Sequence, residues 1–263
     1  MAGYYGTEAQ QRLQARVVAA FDWISSTPGA SYGGRAIGCD DLDAFGWPLI
    51  DQILKRDGAL IFRLIPRDRA AALTEWAISA GYRIDFWDVF IGDKTSVLNA
   101  ADVILAEGLP DGMKIGTALV EPTGAQMDAI QALMSENGVS PYAGATLAGQ
   151  QEPSRTVSVV DNTGTSIAVA FGNRPHNTHS RYYEYCLGGA AAVSSVYRGR
   201  GLGRFVNALM AERALRELGG THLYEAVSAT NTASRRMVEA CGLRHAPELI
   251  GAVAVDGPSK FSR

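Results

Sequence analysis

"VYRGRGLGRF", residues 196–205, sets three arginines and three glycines between an apolar run and an amphipathic one. The first amides of a helix lack intrahelical partners, and the aligned peptide dipoles leave partial positive charge at that end. Glycine has no Cβ, so an anion can approach the backbone closely there. Arg198, Arg200 and Arg204 add charge-assisted donors. The stretch predicts a phosphate-binding loop that opens a helix.

Working outward, Leu202, Phe205, Val206, Leu209 and Met210 recur at the spacing of one apolar helix face, and Gly219 and Gly220 end it. Upstream, "YYEYCLGGAAAVSSV" (182–196) predicts a buried strand, although its small residues have weak strand propensity. "RTVSVVD" and "TSIAVAFG" predict a hairpin turning at 162–164. "THLYEAVSA" (221–229), "NTASRRMVEACG" (231–242) and "LIGAVAV" (249–255) predict a strand, a short helix and a last strand. From the hairpin to the end the order is β-β-β-α-β-α-β. Before it, "TALVEP" suggests a strand, and Met127, Ile130, Leu133 and Met134 suggest a helix.

The first hundred residues carry a different pattern. Leu13, Val17, Phe21 and Ile24 predict an amphipathic helix over 8–25, and 40–58 a second one ending at Gly58, kinked or restarted at Pro48. "ALIFRLI" (59–65), "RDRAAALTEWAISAG" (67–81) and "YRIDFWDVFIG" (82–92) read as a β-α-β unit. "LAEGLPDGMKIG" (105–116) marks a boundary. The chain thus divides into an N-terminal α/β region, 1–110, and a C-terminal domain, 116–263.

Composition removes several function classes. The 263 residues hold 24 Lys+Arg against 27 Asp+Glu, a net charge of -3, with 47% hydrophobic and 19% charged residues. A nucleic-acid or membrane-surface role would call for a basic excess, so the arginines at 198–204 are a local feature. Three cysteines, Cys39, Cys186 and Cys241, form neither a disulfide framework nor a zinc cluster, which fits a reducing cytoplasm. No signal-peptide pattern or membrane-length apolar run is read in the sequence.

Three kinds of phosphate loop compete for 198–204. A P-loop needs Gly-Lys followed by Ser or Thr, whereas Gly203 precedes Arg204 and Phe205. A dinucleotide loop needs G-x-G-x-x-G, and here the third glycine comes one residue early. Arg198-x-x-Gly201-x-Gly203, after an apolar strand and before an amphipathic helix, closely resembles the acetyl-CoA pyrophosphate loop of the GNAT acetyltransferases. Asn231-x-x-Ser234 with Gly242-Leu243 resembles the same family's later helix, and the resemblance spans roughly 116–256.

That resemblance implies an α/β (α+β) fold with a mixed, mostly antiparallel GNAT-type sheet flanked by helices. It implies acetyl-CoA as co-substrate and an amine as acceptor. Ala191 and Val193 would pair with the pantetheine arm, the Val193 amide facing the thioester carbonyl. Arg198, Gly199, Arg200, Gly201, Leu202, Gly203 and Arg204 would hold the pyrophosphate, and Asn231 would contact pantetheine, although it also reads as a helix N-cap. The family's usual acid, a tyrosine seven residues after the motif asparagine, is replaced by Val238. Tyr224, Tyr185 and Cys241 are the nearby substitutes.

For the base that deprotonates the amine, Glu184 is the first candidate and Glu225 the second. His176 and His179 have metal-like spacing without a third ligand, so no metal is expected and they read as surface or acceptor-cleft residues. His222 reads as structural. "AGYRIDFWDVFIG" resembles a C-terminal segment of the same family, so the N-terminal region is either a diverged second copy or a cover over the acceptor cleft. An N-acetyltransferase is the leading function and a non-catalytic acyl-CoA-binding protein the alternative. A homodimer is compatible with either.

Overall fold

Glycines in the left-handed region punctuate the helices of the computed structural model, which describes residues 3–257. Gly46 (φ 79°) breaks the second predicted helix into α3 (Leu42–Phe45) and α4 (Trp47–Asp57), so the restart falls one residue before Pro48. Gly58 and Gly81 cap α4 and α5 (Ala70–Ala80) in the left-handed helical conformation, as "KRDG" and "ISAG" predict. The N-terminal helix divides at Ala20 into α1 (Glu8–Ala19) and α2 (Phe21–Ser26). Thr7 opens α1 with a capping box in which Gln10 supplies the return bond.

The strands are β1 (Ala30–Tyr32), β2 (Ile37–Cys39), β3 (Ala59–Pro66), β4 (Arg83–Asp93), β5 (Lys114–Ile115), β6 (Ser154–Val160), β7 (Ser166–Asn173), β8 (Tyr185–Val193), β9 (His222–Val227) and β10 (Arg244–Val255). The remaining helices are α6 (Lys94–Ala106), α7 (Ala125–Glu136), α8 (Gly144–Leu147), α9 (Leu202–Glu217) and α10 (Thr232–Ala240). The C-terminal order β6-β7-β8-α9-β9-α10-β10 is the one the sequence predicts. "TALVEP" is not a strand: 117–121 is irregular, and the edge of the sheet is the two-residue β5 just before it. The helix α6 and the short β1 and β2 have no counterpart in the sequence reading.

All ten strands of the described residues form one sheet, ordered β1-β2-β3-β10-β4-β9-β8-β7-β6-β5. The pairs β2–β3 and β8–β9 are parallel and the others antiparallel. The β-α-β unit β3-α5-β4 leaves a gap between two strands of like direction, and β10, the last strand of the chain, fills it antiparallel to both. β4 in turn separates β10 from β9, pairing Asp88–Asp93 with Val227–His222. Each half of the chain therefore donates a strand into the other.

The main core lies between α9 and the sheet, where Val206, Leu209, Met210, Ala214 and Leu215 pack on Cys186 and Ala170 with α6 (Val97, Ala101) beside them. A second core holds the N-terminal helices on β3 and β10 (Val17, Ile50, Leu54, Phe62, Ile65, Ala252). Burying such side chains stabilises by about 1.5–3 kcal/mol each. The sheet also bends back on itself: the Tyr32 amide donates to the Pro175 carbonyl at 2.7 Å, and Ser31 bridges His176. No described helix is long and apolar enough to cross a membrane.

Candidate active site

Parallel β8 and β9 pair only from Tyr185–His222 to Leu187–Tyr224 and then separate, although β8 continues to Val193 and β9 to Val227. A bulge drives β8 away. Ala190 and Ala191 together oppose Ala170 of β7, with Gly189 at φ 138° and Ala190 at φ 48°. The small run "GGAAA", which lowers strand propensity, is what lets the backbone take this shape. The separated strands open a cleft of about 1460 Å³.

One wall of the cleft comes from the C-terminal half: Gly188–Val193, Glu225–Ser228, Asn137, Arg198, Asn231 and Met237. The other comes from the N-terminal half: Arg35, Ile61, Arg63 and Arg83–Trp87. The N-terminal region thus forms part of the cavity itself.

Of the residues expected to bind the co-substrate, Ala191, Val193, Arg198 and Asn231 line this cleft. Gly199, Arg200 and Gly201 form the turn that follows Arg198, and Leu202, Gly203 and Arg204 begin α9; none of the six lines the cleft itself. A Cβ built on Gly203 would lie 3.7 Å from Val193 Cγ2 and from Met237 Sδ, both on the cleft wall. Gly199 (φ 77°) and Gly201 (φ 79°) are left-handed, and nothing lies within 4 Å of a Cβ built on either. The side on which a Cβ would stand is thus open at both, which leaves room for close approach to the backbone.

The three arginines differ in what they do. Arg198 donates to the Val193 carbonyl (3.4 Å) and Asn137 Oδ1 (2.9 Å), tying the end of β8 to α7. The Arg200 guanidinium lies over the Tyr197 ring, and Arg204 pairs with Glu107. Leu202 is buried in the core. Asn231 caps α10, its Oδ1 accepting from the Ser234 amide at 3.1 Å, while also lining the cleft; the two readings of this residue coexist.

The two carboxylate candidates separate. Glu184 is exposed, precedes β8 and is not among the lining residues; its carbonyl accepts from the Thr221 amide. Glu225 is 3% exposed and lines the cleft. Burial pushes its carboxyl up to about 7, against the opposing effect of Asn207, which donates Nδ2–H to Oε1 at 2.8 Å. A carboxylate with a pKa near neutrality is suited to proton transfer. Of the two sequence-based candidates only Glu225 stands in the cleft wall, and burial was invisible in the local sequence of either.

Val238 is fully buried in the main core, so it packs and donates nothing. His176 is not a surface residue: it is 4% exposed, with Nδ1 2.5 Å from Asp40 Oδ2 and Nε2 2.9 Å from the Tyr224 hydroxyl. His179 is exposed, and His222 stacks on Tyr185. Cys241 is buried, its thiol pushed up to about 12 by burial. Tyr224 is buried too, and burial raises its hydroxyl. Among the described residues no group of three or more His, Cys, Asp or Glu could hold a metal ion.

Two lining or supporting residues were missed. Asn207 is a polar residue inside the apolar helix face "FVNALM", and Arg63 a charge inside the apolar strand "ALIFRLI". A lone polar side chain in a buried periodic pattern was the available signal.

The acetyltransferase (GNAT) family model matches residues 128–243. Among solved structures, a GCN5-related N-acetyltransferase from Kribbella flavida aligns at 12% identity over 95% of this chain and 97% of its own, with a TM-score of 0.57. A Drosophila protein aligns at 15% identity over 95% and 90%, also at 0.57. A tandem GNAT protein from the clavulanic acid biosynthesis pathway aligns at 16% over 98% and 91%, at 0.51. At these identities the likeness is one of fold. No curated protein matches the chain. The C-terminal part of the chain thus resembles the GNAT acetyltransferases in sequence over 128–243, and the sheet with its flanking helices is GNAT-like in fold.

Proposed function

We propose that this protein is an N-acetyltransferase that moves an acetyl group from acetyl-CoA to a primary amine by direct attack in a ternary complex. The observation that carries the reading is Glu225, a buried carboxyl with a pKa near 7 in the wall of the cleft opened by β8 and β9. The residues present suit acetyl-CoA: open left-handed glycines at the N-terminus of α9, Arg198 beside them, and a small-residue wall along β8. Acetyl-CoA supplies an acyl group on a thiolate, a tolerable leaving group because thiols are far more acidic than alcohols.

The chain's own part is to orient and to move one proton. Amides of Gly199–Arg204 with Arg198 hold the pyrophosphate, and Ala191, Val193 and Asn231 hold the pantetheine arm. The ionised Glu225 accepts a proton from the ammonium form of the acceptor, directly or through water, so that the nitrogen lone pair can attack. Asn207 holds that carboxylate in place. After attack the positively charged nitrogen releases its second proton to solvent as the adduct collapses to the amide, and the departing thiolate takes a proton from solvent, consistent with valine at 238.

We further propose two GNAT-like halves, 1–110 and 116–263, in a cytoplasmic protein. Alignment over nearly the whole chain with a protein described as a tandem GNAT supports the first part. Purified protein, acetyl-CoA and a panel of amines, with free thiol detected, test the activity. Tight acetyl-CoA binding without thiol release from any amine would favour a non-catalytic acyl-CoA-binding role, the alternative that Val238 raises.

A further inference from the structure

Arg63 is the one charged residue of β3, and it is 8% exposed on the N-terminal wall of the cleft. A guanidinium stays charged in a protein, so burying it costs free energy unless an anion or several acceptors satisfy it. The protein supplies only part of that. Arg63 donates to the Gly33 carbonyl at 3.3 Å, and its Nε has no hydrogen-bond partner.

The acids around it are engaged elsewhere. Asp40 is held by His176, and Glu152 Oε1 accepts from Asn173 at 2.8 Å. Burial pushes the Glu152 carboxyl well above its ordinary value. On the other side, Arg63 is braced by Tyr224, whose hydroxyl meets His176. Burial lowers the His176 pKa, so its imidazole is neutral. Nδ1–H then donates to Asp40 and Nε2 accepts from Tyr224. The positive group is fixed in position, with a buried Nε left unpartnered in the wall of the cleft, which describes an anion receptor.

The same wall adds Arg35 and Arg83, against the single acid Asp85, which pairs with Arg83 at 3.1 Å. Glu225 lies on the opposite wall.

We propose that Arg63 recognises an anionic group, a carboxylate or a phosphate, carried by the acceptor on the same molecule as its reactive nitrogen. The inference rests on the acetyl-transfer reading and narrows its acceptor to amino-acid-like or phosphorylated amines.

Two matched pairs test it: alanine against alaninamide, and phosphoethanolamine against ethanolamine, each with saturating acetyl-CoA and thiol detection. Alaninamide is the less basic amine, so a site without a receptor would favour it over alanine. The expected result is a preference for the anionic member of at least one pair, expressed in KM, of about tenfold or more. The responding pair identifies the anion. Arg63→Gln abolishes the preference while acetyl-CoA affinity, read by calorimetry, is unchanged, and Arg63→Lys retains part of it. Equal use of both members of both pairs by the wild type overturns the inference whether or not the variants fold. So does a preference that persists in a folded Arg63→Gln protein. If no amine is acetylated, the acetyl-transfer reading falls separately. The four probes are then titrated calorimetrically into CoA-saturated wild type and Arg63→Gln. Tighter binding of an anionic member that the variant loses sustains the receptor, and equal binding refutes it.

Discussion

Glu225→Gln removes one proton-accepting site and leaves the shape of the side chain and its hydrogen bond in place, since an amide oxygen can still accept from Asn207 Nδ2. Burial raises the carboxyl from 4.5 to about 7, so it is half ionised near pH 7. Wild-type kcat at saturating acceptor should then rise about tenfold per pH unit below that point and level off above it. The glutamine variant should lose about 10²–10⁴-fold in kcat at pH 8, with acetyl-CoA affinity retained. Stability should change in the opposite sense. A folded-state pKa raised for an acid means that the folded state holds the proton more tightly. The associated stability is complete below pH 4.5 and is lost as pH rises through about 7. A shift of this size corresponds to about 3 kcal/mol. Glu225→Gln should therefore match wild type near pH 4 and exceed it by up to about 3 kcal/mol above pH 8. Urea denaturation across pH, beside steady-state kinetics, measures both. A variant that keeps kcat within about threefold, or a wild-type profile flat through pH 7, would refute the assignment of Glu225 as base.

Asn207→Ala withdraws the bond that favours the ionised carboxylate, so the midpoint of the pH profile should move up by about one unit. An unmoved midpoint would show that Asn207 only packs. Val238→Ala should cost about 1–2 kcal/mol through the cavity it leaves and change kcat little, as chemical denaturation and thiol release will report. Separate expression of 1–110 and 116–263 should give chains without cooperative unfolding, because β10 would lose both neighbours and β4 would lose β9 and β10; mixing the two should restore the circular dichroism of the whole. A 116–263 fragment that melts cooperatively alone would contradict the strand exchange. Tyr224→Phe should lower stability by about 1–3 kcal/mol, since it leaves the buried His176 Nε2 unpaired.

Most local elements could be read directly. α9, α4, α5, β3, β4 and the β6–β7 hairpin follow from apolar periodicity and from glycines that must sit at positive φ, both properties of neighbouring residues. The turn that opens α9 was legible for the same reason, since Gly199 and Gly201 must sit at positive φ. "TALVEP" failed because apolar residues alone do not make a strand; Leu119 is buried against α7 without a ladder to join. Short β1 and β2 escaped notice because a three-residue strand has no period to detect.

The placement of β10 between β3 and β4 depends on pairing across more than 150 residues, which no local window contains. The choice between Glu184 and Glu225 was likewise tertiary. Both are glutamates among aromatic and apolar neighbours, and only the packing of α9, which brings Asn207 to one and not the other, buries Glu225 and raises its pKa. The sequence determined that a glycine- and arginine-rich loop opens α9. The sheet, by joining two distant halves around one cleft, decided which carboxyl and which arginine line it.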